Sequence, residues 1–428
     1  MLFCDEINLP SPDAFGVSST LQLIRSLCER GGFWRPGNRG WTRTRNIFVV
    51  GACNPPTDPG RHPIPSRLLR HCTVLYVDAP SPSSLRRIYG SYTRAILKPY
   101  PALTASAGGG GRGGAETSLQ VALPAAMVEV YLKNAERFTT DMQPQYVYSP
   151  RELTRWVRAL HEGLTGQVGQ AAATGMLDDA DDGDDDDNAP TEASQHLGAF
   201  VRLWAHEAHR LFCDRLVDPV DADYSMRAVD GAAREWFGAR LGRGVGAGGL
   251  DAALRPPVLF SSWLSRGGRY EDAQPLALIR FCERRLRQFQ EEAAPIRGRL
   301  VATDIFVSHA LRISRVLRQK SGHVLMIGPP GVGKSVLARF VAWCEGFSVF
   351  RVSGSRRFTI SDFEENLREL FRRSGVSGER IVFLFDESSA MESSFLERMN
   401  SLLASGDVPG LFEAEDRAAV VQAGREAQ

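Results

Sequence analysis

Short apolar runs alternate with helix-period stretches at both ends of the chain, and a helical block lies between them. LFCDE, NIFVVGACN and TVLYVDAP are brief runs of apolar, β-branched and aromatic residues, as buried strands are. Between the first two, STLQLIRSLCERGG carries apolar residues at helical spacing and ends on a glycine stop. From about Leu300 the alternation returns: HVLMIG, a glycine loop, the helical SVLARFVAWCEG, SVFRVS, a helix through DFEENLRELFRRSG, and RIVFLFDES, a strand that again ends in Asp-Glu. Strands alternating with helices form parallel sheets. The expected fold class is α/β: two partial parallel-sheet units, 1–100 and 299–428, flanked by helices and separated by a helical region.

That region is read as 121–245. Its helical patterns are AAMVEVYLKNAERF from Pro124, SPRELTRWVRALHEGL and HLGAFVRLWAHEAHRLFCDRL. A glycine-rich insert occupies 101–120 and an acidic insert 165–195. The run Asp178–Asp187 reads as a solvated loop, because its spacing is not that of a calcium-binding loop. His206, Glu207 and His209 fall one residue short of a zinc-protease H-E-x-x-H and read as polar positions on a helix. Residues 246–298 form a connecting segment with one amphipathic helix, QPLALIRFCERRLRQFQEEA.

Composition narrows the classes. The 428 residues are enough for several cores, and a net charge of +1 gives no electrostatic case for nucleic acid, so none is expected. No apolar run approaches a membrane span, and no leader pattern opens the chain. The seven cysteines are scattered without a C-x-x-C pair and read as buried free thiols of a reducing compartment, cytoplasmic or nuclear.

The chemistry concentrates in GPPGVGKS: Gly328, Pro329, Pro330, Gly331, Val332, Gly333, Lys334 and Ser335 fit G-x-x-x-x-G-K-[ST] between an apolar run and a helix. Glycines let backbone N–H groups wrap phosphates, and a helix N-terminus adds positive potential. Lys334 is expected to neutralise β- and γ-phosphates and Ser335 to hold Mg²⁺. Asp386, 52 positions after Lys334, is expected to place that Mg²⁺, and Glu387 to polarise the attacking water. Asp5 and Glu6 repeat this pair at the start of the chain. Asn54, 49 positions after Asp5, is the polar residue beside them, able to hold a water or touch the γ-phosphate. No phosphate loop precedes Asp5, and no polar strand end follows Asp386 at the matching distance. The chain is therefore expected to be a segment of a longer protein, with two incomplete halves of a repeated nucleotide module.

These residues resemble the AAA+ superfamily and, within it, the dynein heavy chains. LFCDEINLP, GGFW, VGACNPPTDPGRHPIPSRLLRH, VLYVD and IYGSYTRAIL are similar to the third AAA+ module of the dynein ring. SPRELTRWVRAL, LWAHEAHRLFCDRLVD and LFSSWLS are similar to its helical lid and the segment after that lid. HALRISRVLRQKSGHVLMIG, FLFDES and SFLERMNSLLASGDVPGLFE are similar to the start of the fourth module, in wording nearer the cytoplasmic than the axonemal type. The phosphate loop itself departs from the family's usual wording there and is generically AAA+. The resemblance implies two partial P-loop AAA+ modules separated by a helical lid, ATP or ADP with Mg²⁺ as cofactors, and minus-end-directed movement on microtubules in the intact motor. It makes Asp5 and Glu6 a Walker B pair and Asn54 sensor one. Arg70 becomes an arginine finger reaching the preceding module, with Arg67 the weaker candidate, and Arg151 becomes sensor two. A helix-terminal salt bridge is the plainer reading of Arg151. Implied partners are neighbouring AAA+ modules, dynein intermediate and light intermediate chains, and microtubules, in the cytoplasm on the cytoskeleton. Two alternatives stay open: another tandem AAA+ remodeller of the midasin type, and a nucleotide-binding product that hydrolyses negligibly.

Overall fold

The computed structural model describes residues 1–35, 40–58, 60–101, 103, 118–165, 192–241, 249–265, 267–292, 300–319, 322–352, 358–385 and 393–426. They form two compact units, Met1–Pro80 and Ser81–Gln428.

In the first unit β1 (Leu2–Cys4) pairs in parallel with β4 (Val49–Gly51), Leu2 opposite Val49 and Cys4 opposite Gly51. Between them lie α1 (Ser19–Arg30) and an antiparallel hairpin of β2 (Gly32–Trp34) and β3 (Trp41–Arg43). The Ser18 hydroxyl caps α1 by accepting from the Leu21 N–H, and Gly31, at φ +63°, ends it. The short helix α2 (Ser66–Leu69) follows. The buried core is small: Leu21, Ile24 and Leu68.

The second unit opens with a bundle of α3 (Pro82–Leu97), α4 (Leu119–Arg137), α5 (Pro150–Leu164), α6 (Glu192–Ala208), which runs on as a π-turn over His209–Cys213, and α7 (Pro219–Leu241). Trp156 and Trp204 stack at 5.0 Å in its centre, with Phe212 and Phe237 edge-on. All four are fully buried, and each contributes roughly 2–3 kcal/mol of transfer free energy. A short α8 (Leu250–Ala253) and a hairpin of β5 (Phe260–Ser261) and β6 (Glu271–Asp272) lead out of the bundle. Next, α9 (Pro275–Glu292), α10 (Asp304–Leu317) and α11 (Lys334–Cys344) share a second core around Leu278, Phe289 and Phe340. A third core, Phe350, Phe363, Phe395 and Val408, lies against β7 (Ser348–Arg351) and β8 (Ile381–Leu384), which pair in parallel. Helices α12 (Ile360–Gly375), α13 (Ser393–Ser405) and α14 (Ala414–Glu426) complete it. Thr359 and Asp362 form a reciprocal capping box at the start of α12.

The α/β class holds: small parallel sheets with many helices. Two expectations about elements change. TVLYVDAP and HVLMIG are not strands, because a strand exists only when paired and no partner reaches them among the described residues. Their apolar side chains stand open, with Tyr76 and Leu325 each 84 % exposed. The helix read from Pro124 begins at Leu119 as α4, with Pro124 inside it. The glycine-rich and acidic inserts fall almost wholly outside the described residues.

Candidate functional site

The glycine loop of the second unit leads into a helix as its spacing predicts, although no strand precedes it among the described residues. Gly331 and Gly333 take φ +84° and +85°, a left-handed backbone that strains any residue with a Cβ. Nothing comes within 4 Å of a Cβ built at either, so this wall of the loop is open. Gly333 caps α11, an 11-residue helix whose first residue is Lys334. The free N–H groups of the first turn, Ser335 among them, face the loop, and this is an anion-binding geometry. Lys334 Nζ folds back and donates to the carbonyls of Gly328 at 2.7 Å and Pro329 at 2.8 Å. The cation thus folds back onto the loop, and Ser335, next to it in the chain, is half-buried. Asp386 and Glu387 lie outside the described residues; β8 ends at Leu384.

In the first unit Asp5 and Glu6 follow β1 directly. The ladder continues around them: the Ala52 N–H donates to the Cys4 carbonyl and the Ile7 N–H to the Ala52 carbonyl. Glu6 adopts φ +56°, a conformation rare outside glycine, and its N–H donates to Asp5 Oδ1 at 3.1 Å. Its carboxylate pairs with Arg61. Asn8, 2 % exposed, donates from Nδ2 to the Asn54 carbonyl at 2.8 Å. Its own backbone carbonyl accepts from the His62 N–H. The structure therefore brings Asp5, Glu6 and Asn54 to one end of the β1–β4 pair. It adds Asn8 and Arg61, which pattern reading missed; their only sequence signal is nearness to the carboxylates and to Asn54.

The arginines behave differently. Arg70 follows α2 and binds Glu29 of α1 at 3.0 Å and His71 at 3.1 Å, not the Asp5–Glu6 pair. Arg67 is exposed. Arg151, in the first turn of α5, is exposed and makes no ion pair among the described residues. Its backbone N–H donates to the Ser149 hydroxyl.

His206 and Glu207 are polar positions on α6, His206 half-buried and Glu207 fully buried. Both ring nitrogens of His206 are used, by the Val258 carbonyl at 3.0 Å and the Tyr270 hydroxyl at 2.7 Å, which leaves none for a metal. Burial pushes His206 and His209 down to about 4. Burial works against ionisation of Glu207, but Arg210 at 2.8 Å and Arg315 at 3.0 Å prevail and hold it at about 2. The periodicity of α6 did not show this, because the covering groups come from distant segments.

A P-loop with its lysine at a helix N-terminus, set beside parallel strands and a helical lid, defines a nucleoside-triphosphatase module of the AAA+ kind. Three family models match in order: "P-loop containing dynein motor region" over 1–80, "Dynein heavy chain, ATPase lid domain" over 92–176, and "P-loop containing dynein motor region D4" over 299–428. Among curated relatives, the cytoplasmic dynein heavy chain of Caenorhabditis elegans is 44% identical over 97% of this chain and 8% of that one. Those of Neurospora crassa and Dictyostelium discoideum are 43% and 42% identical over 100% of this chain, and 9% and 8% of theirs. The chain belongs to the dynein heavy chain family, and it spans less than a tenth of the length of these relatives.

Proposed function

We propose that the chain is a nucleotide-binding segment of an ATP-driven microtubule motor, with Gly328–Ser335 as the site that takes ATP or ADP. The observation that carries this reading is Lys334 held over the loop by its own carbonyls at the positive end of α11. An incoming phosphate takes over the Lys334 ammonium from Gly328 and Pro329 and accepts from the first-turn N–H groups. A bound Mg²⁺ supplies charge neutralisation at the phosphates, with Ser335 and Asp386 the residues that would hold it. Glu387 is the group for orienting water. Asp5, Glu6 and Asn54 make the corresponding half-site of the first unit, Arg70 the finger for a preceding module, and Arg151 the second sensor.

In the intact heavy chain these modules act with neighbouring AAA+ modules, in the cytoplasm on microtubules. Intermediate and light intermediate chains join through regions outside this segment. The family matches leave no place for the midasin-type alternative. Hydrolysis by the segment itself is negligible, because an AAA+ site needs an arginine from a neighbouring module, and Arg70 serves the module before it and not the Gly328–Ser335 loop. Among the described residues no helix is long and apolar enough to cross a membrane.

The test is titration of a fluorescent ADP in Mg²⁺. Lys334→Ala should weaken binding by about 100-fold, the loss of a charge-assisted phosphate contact. Tight binding by that variant, or brisk turnover by the 428-residue chain that Glu387→Gln abolishes, would overturn the reading or its negligible-hydrolysis clause respectively.

A further inference from the structure

We propose that Glu345 is a positioning residue for the phosphate loop: it grips the loop's helix from the far end and ties it through α10 to the helical bundle. This rests on the nucleotide reading above. Glu345 directly follows Cys344, the last residue of α11, and its side chain is 3 % exposed. A carboxylate there opposes the helix dipole, whose negative end already sits at that terminus. Its burial needs a tertiary cause, and three donors supply one. Oε1 accepts from Trp263 Nε1 at 2.7 Å and Ser314 Oγ at 2.5 Å, and Oε2 from Arg318 Nε at 2.8 Å.

Apolar packing alone does not fix this helix along its axis. Phe340 packs between Phe289 at 5.7 Å and Phe306 at 5.4 Å, and such faces resist separation more than sliding. Directional hydrogen bonds to Glu345 supply the missing axial restraint. An 11-residue helix is about 16 Å long and stiff, so a displacement at Glu345 reaches Lys334 undiminished. At the end of α10, Ser314 and the C-cap residue Arg318 hold Glu345, while Arg315 reaches the bundle: it binds Glu207 of α6 at 3.0 Å and the Ala159 carbonyl of α5 at 2.9 Å. One turn of α10 therefore holds the phosphate-loop helix with some residues and the bundle with another.

The experiment compares the fluorescent-ADP affinity of the 428-residue chain with that of Glu345→Ala and of Leu123→Ala. Leu123 is fully buried in the bundle core, so its truncation lowers stability without touching the clamp. Glu345→Ala should weaken binding five- to tenfold, the range of a modest coupling between sites. Leu123→Ala, whose Tm falls at least as far, should stay within about twofold. Glu345→Gln keeps an acceptor for Trp263 and Ser314 and should lose only about threefold; it is the deciding variant if the alanine chain does not fold. Unchanged affinity on losing Glu345, with Lys334→Ala still abolishing binding, overturns the clamp and leaves the nucleotide site standing. Equal losses from Glu345→Ala and Leu123→Ala make the residue merely structural and also overturn the clamp. Absence of Lys334-dependent binding in the unaltered chain overturns both.

Discussion

Glu207 shows how much one side chain can carry. It is fully buried between Arg210 and Arg315, and Arg315 also stacks on the Tyr270 ring at 4.2 Å. Removing the carboxylate leaves Arg210 without its carboxylate in a low-dielectric interior and leaves Arg315 with only Glu162 at 3.5 Å as a counter-charge. Glu207→Ala should therefore cost about 3–5 kcal/mol in urea unfolding. The double variant Glu207→Ala with Arg315→Leu should lose less than the two single changes added together, because the second removes the charge the first orphans. The sequence announces Glu207 only as part of an HEAH string, whereas it announces Lys334 outright. The difference is distance along the chain. The phosphate loop is written in eight consecutive residues whose glycines have local backbone work to do. Glu207 meets Arg315 across 108 positions and Trp263 meets Glu345 across 82, and no local pattern encodes such meetings.

At the scale of the element, α6 and its π-turn make the fold sensitive to acid. His206 and His209 have folded pKa values near 4 against an ordinary 6.5, so the unfolded chain binds their protons first. Stability is then full above pH 6.5 and falls as the pH drops toward 4, by on the order of 1–3 kcal/mol per histidine. Glu207, depressed to about 2, adds its own loss only below its ordinary 4.5. Urea midpoints should decline between pH 7 and 5. His209→Leu should flatten that slope, since His209 Nε2 is buried without a hydrogen-bond partner among the described residues. Elements also mark where pattern reading stopped. It placed α1, α11 and α12 from helical spacing and end signals, and β1, β7 and β8 from short apolar runs. It read TVLYVDAP and HVLMIG by the same rule, yet pairing is a property of two segments, and periodicity reports only one.

At the scale of the molecule the two units differ in how much they bury. Met1–Pro80 has Leu21, Ile24 and Leu68 as its buried core, while Phe3, Phe48 and Val74–Val77 are exposed. The second unit has three cores, one of them around two stacked tryptophans. Small cores open cheaply. Amide hydrogens of β1 and β4 should exchange at least about 100-fold faster than those of α4 and α6, and equal protection would show that the first unit is stabilised by something its own side chains do not display. The seven tryptophans are placed to make the same division visible as light. Trp34 and Trp41 of the first unit are wetted, while Trp156 and Trp204 are sealed from water. Trp263 and Trp343 bracket the far end of α11, one with its indole N–H on the Glu345 carboxylate, the other beneath the Arg285 guanidinium at 4.3 Å. An anion at one indole's nitrogen and a cation over the other's face bias their excited states in ways that depend on a few tenths of an ångström. The chain thus carries, without any attached dye, a colour gauge at the end of the helix that leads to its phosphate loop.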